Sequence, residues 1–137
     1  MKLAVVSRYI GYTTERGHGG GFLHATQGAT RRRYIDAFAG VGRYDFGQGH
    51  LRDGSAILAL RREVPGPASA SPIGFTHLRF VELEDARAAV LERRVAATGT
   101  AATRARVRRG DANALMHELL AEVEDPTPTL LLLDPYD

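Results

Sequence analysis

A chain of 137 residues holds one modest domain and leaves no room for two. Its 44% apolar and 25% charged residues place it in the globular rather than the disordered class, and the absence of cysteine excludes a disulfide scaffold, a thiol nucleophile and the usual structural zinc sites. The formal charge of +2 is too small to argue for nucleic-acid binding by itself.

No apolar run approaches the roughly 20 residues of a membrane helix, and the first residues lack the apolar core of a signal peptide. A cytoplasmic protein without membrane contact is expected. Lys2 is the sole lysine, so arginine supplies the other basic groups, bunched at 31–33, 61–62, 93–94 and 104–109. An arginine fork suits phosphate, although a solvated face explains each cluster taken alone.

In chain order, Val5, Tyr9 and Tyr12 recur at helical spacing, which predicts a helix over residues 1–12. Residues 13–30 hold Gly17, Gly19, Gly20, Gly21 and Gly28 and read as a mobile loop. Tyr34 to Ala39 reads as a buried strand closed by Gly40-Val41-Gly42. The loop then continues through Gly47 and Gly49, and Asp53 or Ser55 caps a helix carrying Ile57, Leu58 and Leu60. Pro65, Gly66, Pro67 and Pro72 end that helix. A second strand over Thr76–Leu83 leads to a helix over Asp85–Ala97, with Ala86, Ala89, Val90, Ala96 and Ala97 at helical spacing. A short third strand fits Ala105–Arg108. Residues 112–123 form the clearest helix, with Met116, Leu119, Leu120 and Val123 on one stripe. Pro126 and Pro128 precede a last strand, Leu130–Leu133. Strands alternating with helices predict a parallel sheet with right-handed crossovers.

Each polar candidate lies just past the carboxyl end of a strand, where ligands bind in open α/β sheets. Gly40 and Gly42 let the backbone approach a ligand. Glu82, in Phe80-Val81-Glu82-Leu83-Glu84, fits either a ribose-binding acid or a carboxylate on a solvated loop. Asp111, in Gly110-Asp111-Ala112-Asn113, fits either an adenine amino group or the cap of the following helix. Asp134-Pro135-Tyr136 places an acid, a rigid turn and a stacking aromatic in a row.

Taken together, four acids after four successive strands resemble the class I S-adenosylmethionine-dependent methyltransferase fold. A closer resemblance is to the three-Cys-motif partner proteins. It rests on the phrases at residues 34–44 (Tyr-Ile-Asp-Ala-Phe-Ala-Gly-Val-Gly-Arg-Tyr), 54–60, 80–84, 110–113 and 133–136. The chain departs from that pattern at Val41, where proline is usual, at Ala56-Ile57-Leu58, where Pro-Leu-Ile is usual, and at Asp137, where glycine is usual. The resemblance implies a Rossmann-like three-layer sandwich with a parallel sheet, truncated after about four strands where the family continues through three more. Residues 1–33 then form an N-terminal helix and glycine-rich loop, and residues 34–137 a partial cofactor domain.

By motif position the resemblance assigns S-adenosylmethionine to Asp36, Phe38, Ala39, Gly40, Gly42, Glu82, Leu83 and Asp111. It assigns catalysis to Asp134, Pro135 and Tyr136, which resemble the last motif of ribosomal RNA methyltransferases acting on the exocyclic amine of adenine. That motif has two prolines where this chain has one. RNA or DNA and a cysteine-rich partner protein are the implied partners. A non-catalytic remnant or binding module, pairing through an exposed sheet edge, is the rival reading.

Other classes fit worse. A nicotinamide enzyme expects its ribose acid about 20 residues past the glycine turn, and Glu82 stands about twice as far from Gly42. A phosphate loop needs Gly-Lys-Ser/Thr, which is absent. Gly17-His18-Gly19-Gly20-Gly21 resembles a hydrolase oxyanion loop, but no Gly-x-Ser-x-Gly elbow accompanies it. His18, His24, His50, His77 and His117 show no metal-ligand spacing.

Overall fold

The structure, a computed structural model, describes residues 2–13, 19–122 and 126–135. Helix α1 (Lys2–Ile10) forms as expected but turns a different face inward. Val6 and Ile10 are buried, whereas Val5 and Tyr9 are 49% and 68% exposed. Two apolar stripes compete on this helix, and packing in the common core selects the one carrying Val6 and Ile10. Tyr12 lies in β1 (Tyr12–Thr13), antiparallel to β2 (Gly19–Gly20). The stretch expected as a mobile loop contains α2 (Phe22–Ala25), anchored by the fully buried Leu23. Gly21 opens this helix at φ 89°, and a Cβ there would meet the Arg8 carbonyl oxygen at 2.8 Å. Only glycine permits both the angle and the approach.

Strand β3 (Arg33–Asp36) is buried along its length and ends at Asp36 rather than Ala39. Beyond the Gly40–Gly42 turn, a segment expected as loop pairs into a hairpin, β4 (Arg43–Asp45) against β5 (Leu51–Asp53). Helix α3 (Ser55–Arg61) takes Gly54 as its N-cap instead of Asp53 or Ser55. Asp53 is engaged by Arg43 at 3.7 Å and Arg61 at 3.3 Å, and the Ser55 hydroxyl donates to Asp36. A second hairpin, β6 (Glu63–Val64) with β7 (Ile73–Gly74), brackets the proline-rich stretch.

Strand β8 (His77–Glu82), α4 (Asp85–Ala96), β9 (Ala105–Arg109), α5 (Ala112–Ala121) and β10 (Thr129–Leu132) complete the alternation. In α4 the buried stripe is Ala88, Leu91 and Val95, while Ala86 and Ala96 face solvent. In α5 Leu119 is buried and Leu120 is exposed, and Val123 lies outside the described residues.

The main sheet has the order β10-β3-β8-β9, with every pair parallel. The chain winds outward from β3 through β8 to β9, then returns to the other side of β3. This is the arrangement at the centre of doubly wound nucleotide-binding sheets, with the reversal between β3 and β10. One face buries Tyr34, Leu78 and Phe80 against α1, α3 and α4. The other buries Ile35 and Val81 against Ala112 and Leu119 of α5. The architecture is therefore mixed α/β in three layers, compatible with a Rossmann-like fold. Among the described residues, no helix is long and apolar enough to cross a membrane.

Several arginines that read as surface charge are internal joints. Arg32 donates to the carbonyls of Gly74 at 3.0 Å and Thr26 at 3.2 Å, and burial pushes its pKa down. Arg33 donates to the carbonyls of Leu119 and Leu120, both at 3.1 Å, and to the Thr129 hydroxyl at 2.9 Å. It thereby satisfies the last turn of α5, whose carbonyls lack intrahelical donors. Arg94 holds the carbonyls of Val41 and Arg43 at 2.6 and 3.1 Å, and Arg104 holds those of Phe75 and Leu60.

Candidate functional site

Strands β3, β8, β9 and β10 end on one side of the sheet, and a cavity of about 290 Å³ lies there. This is near the lower end of the size range of small-molecule sites. Ala37 and Phe38 after β3, Glu82 and Leu83 at the end of β8, Gly110 and Asp111 after β9, and Pro135 after β10 all line it. Four segments far apart in sequence thus converge because parallel pairing puts every strand's carboxyl end on the same side.

Glu82 is the most constrained of these groups. Its Oε2 accepts the Gly40 amide at 3.0 Å and its Oε1 the Glu84 amide at 3.1 Å, in a side chain that is nearly buried. The solvated-loop alternative is overturned, since this carboxylate is a tie between two strand ends. A carboxylate offers about four lone-pair positions, so two amides leave acceptor capacity facing the cavity. Gly40 has φ 67° and Gly42 φ 80°, in the left-handed region that favours glycine. A Cβ on Gly42 would lie 2.8 Å from Leu91 Cδ1, so this glycine is needed for packing as well as for the turn.

Asp111 caps α5, its Oδ1 accepting the Asn113 amide at 2.8 Å, and it also lines the cavity. Both sequence alternatives for Asp111 are therefore geometrically open, and the cap is made. Phe38 is 36% and Leu83 69% exposed, giving apolar walls to an otherwise acidic cleft.

Asp36 takes a different position. It is 1% exposed and accepts from Ser55, from the Tyr34 hydroxyl at 3.3 Å and from the Phe38 amide at 3.2 Å. It braces the turn from behind the cavity wall and does not line it. Burial first, and the Asp36 charge second, push the Tyr34 hydroxyl well above the usual tyrosine pKa, so Tyr34 stays a donor. Ala39 is buried, with its amide on the Val81 carbonyl at 2.9 Å. Asp134 is half-buried beside Pro135, and Tyr136 lies outside the described residues.

Ala37, Glu84, Arg87, Gly110 and Ala112 also line the cavity without having been assigned to the site, and Arg87 is the one among them that brings a positive charge. Arg87 stands in the first turn of α4 with its Nε 3.9 Å from Glu82 Oε1, and that Nε is buried with no hydrogen-bond partner. Nothing in the local sequence marks it, since the contact follows from where α4 leaves β8. Among the described residues, no cluster of three or more His, Cys, Asp or Glu side chains could hold a metal ion. The cleft therefore offers Glu82, Glu84 and Asp111 against Arg87. That balance suits hydroxyls, amines and cationic groups better than a pyrophosphate. No protein-family model, curated protein or solved structure matches this chain.

Proposed function

We propose that this cleft binds S-adenosylmethionine and that the chain acts as a class I methyltransferase-like protein on an exocyclic amine of a nucleic-acid base. One observation carries the reading: Glu82 and Asp111 line a single cavity beside the β3–β10 reversal, and Glu82 is tied to the glycine turn. Ligands of open α/β sheets bind at that crevice. The donor set fits this cofactor, because Glu82 retains acceptor capacity for ribose hydroxyls and Asp111 for an amino group. Phe38 and Leu83 supply apolar contact for a flat ring, and the acidic balance suits a sulfonium.

When bound, S-adenosylmethionine supplies a methyl group open to in-line displacement, so the chain's own task is positioning. Asp134 and the Pro135 carbonyl, following β10, accept hydrogen bonds from the acceptor amine and keep its lone pair directed at the cleft. Tyr136 stacks on the base. A paired base must first leave its helix. The cysteine-rich partner protein implied by the motifs belongs to the same reading, and co-elution with such a protein tests it.

Calorimetric titration with S-adenosylmethionine tests the core of the proposal on the wild type and Glu82→Ala. Heat with the wild type and its loss in the variant support it, whereas no heat with the wild type sinks it. Transfer to RNA or DNA that disappears in Asp134→Ala, with cofactor affinity kept, supports the catalytic assignment. Binding without any transfer assigns the chain to the rival class, a cofactor-binding module.

A further inference from the structure

The hairpin of β4 and β5 leaves the glycine turn three residues after Gly40, whose amide is bound to Glu82 in the cavity wall. Its base is closed by the Gly54 amide on the Gly42 carbonyl at 2.8 Å and braced by Arg94 on the carbonyls of Val41 and Arg43. Its tip is ordered by the Phe46 amide on the His50 carbonyl at 3.0 Å and by the Gly47 amide on Asp45 at 2.8 Å. A braced ribbon thus follows directly on the turn whose Gly40 amide is held by the cavity-lining Glu82.

The two faces of this ribbon differ. Tyr44 opposes Arg52 across the pair, and side chains alternate along a strand, so Tyr44, Phe46 and Arg52 share one face. Phe46 is 64% exposed, and the Arg52 guanidinium lies 5.8 Å from its ring centroid. Arg52 pairs with no carboxylate among the described residues, whereas Asp53 on the other face is engaged by Arg43 and Arg61. A ring exposed to this extent leaves most of its face open to stacking. A neighbouring cation that has no acidic partner among the described residues adds an attraction for negative charge.

We infer that the Tyr44–Phe46–Arg52 face binds single-stranded nucleic acid, with a base stacked on Phe46 and a backbone phosphate on Arg52. Every base presents a π-face, so an aromatic platform beside a guanidinium holds a strand without reading its sequence. Phosphate drawn to Arg52 makes the contact salt-sensitive. The inference rests on the reading of the cleft as a methyl-transfer site for a base, and gives that site a surface that holds the strand near it.

The experiment is fluorescence anisotropy with labelled RNA and DNA strands of about 12 nucleotides, within the site sizes of single-strand binders, against the matching duplex. The full chain is compared with Phe46→Ala, Phe46→Trp and Arg52→Gln, and cofactor calorimetry is run on each. The expected result is tighter binding of single strands than of duplex, a loss of about tenfold or more in Phe46→Ala, retention in Phe46→Trp, and a shallower salt dependence in Arg52→Gln. Cofactor heat stays unchanged throughout. Equal affinity in Phe46→Ala and wild type, or preference for duplex, overturns the inference. Cofactor heat without strand binding overturns it while leaving the cleft reading intact. Strand binding that depends on Phe46, in a chain giving no cofactor heat, supports the hairpin site and removes the methyl-transfer reading.

Discussion

The Gly40 amide donates to Glu82 Oε2 at 3.0 Å across 42 residues of sequence, so the glycine turn after β3 and the acid ending β8 form one unit. A ligand that engages Glu82 therefore acts on the turn as well.

Glu82→Gln tests that coupling. The amide keeps the size of the side chain but replaces one acceptor with a donor, which must face the Gly40 or the Glu84 amide. Stability should fall by about 1–3 kcal/mol, the cost of a buried donor left unsatisfied, as read from urea midpoints. Affinity for S-adenosylmethionine should fall with it, and unchanged values of both would remove Glu82 from either role.

Asp111 has two separable contributions. Asp111→Ala should cost about 1 kcal/mol through loss of the helix cap and should weaken cofactor binding. Asp111→Ser restores a capping oxygen but no carboxylate, so thermal stability should recover while affinity does not. Full affinity in the serine variant would leave Asp111 with the cap alone.

His77 gives the chain a pH dependence of definite sign. Burial first, then the charges of Arg79, Arg31 and Arg33, push its pKa below the ordinary histidine value, with Glu122 opposing. The unfolded chain thus binds more protons than the folded one between the folded pKa and about 6.5. Stability is complete above that unfolded value and falls as pH drops through it toward the folded pKa. Melting temperatures compared at about pH 5 and pH 7.5 should rise with pH, and His77→Gln should flatten part of the rise. An identical slope in the variant would exclude His77 as its source.

Gly42 and Gly47 share positive φ, at 80° and 95°, but differ in surroundings. A Cβ on Gly42 meets Leu91 at 2.8 Å and Ile57 at 3.1 Å, while nothing lies within 4 Å of one on Gly47. Gly42→Ala should cost about 2 kcal/mol or more through strain plus overpacking, and Gly47→Ala about 1 kcal/mol through strain alone. Equal urea midpoints for the two variants would contradict the packing argument.

Much of the central sheet was legible because its strands are short apolar runs flanked by turn residues, as at Tyr34-Ile35 and Phe80-Val81. Helix α5 was legible because Asp111 is a real cap and Leu119 falls on the expected stripe. The buried faces of α1 and α4 were not, since each helix carries rival apolar positions and only its neighbours decide between Val5 and Val6, or between Ala96 and Val95. Helix α3 was capped wrongly because the Ser55 hydroxyl is drawn to Asp36, a partner supplied by another element. The β4–β5 hairpin has strands of three residues around Gly47-Gln48-Gly49, too short for any period to show. At the candidate site, Phe38, Glu82, Leu83, Asp111 and Pro135 share one cavity because each ends or follows a parallel strand. Asp36, Ala39, Gly40 and Gly42 do not line that cavity, and the Asp36 side chain follows Tyr34 to the buried face because a strand alternates its faces. Arg87 reaches the cleft only through the path of α4.

Arg32 and Arg104 each grip main-chain oxygens from two separate stretches of backbone, Arg33 joins the end of α5 to the Thr129 hydroxyl, and Arg94 holds two carbonyls of the turn after Gly40. A forked, planar head can span such a gap where a point-like ammonium cannot. Exchanging these residues for lysine would leave the formal charge of +2 untouched and still loosen the seams between neighbouring segments. The near-absence of lysine, which looks like a bias of composition, is thereby built into the chain's internal wiring.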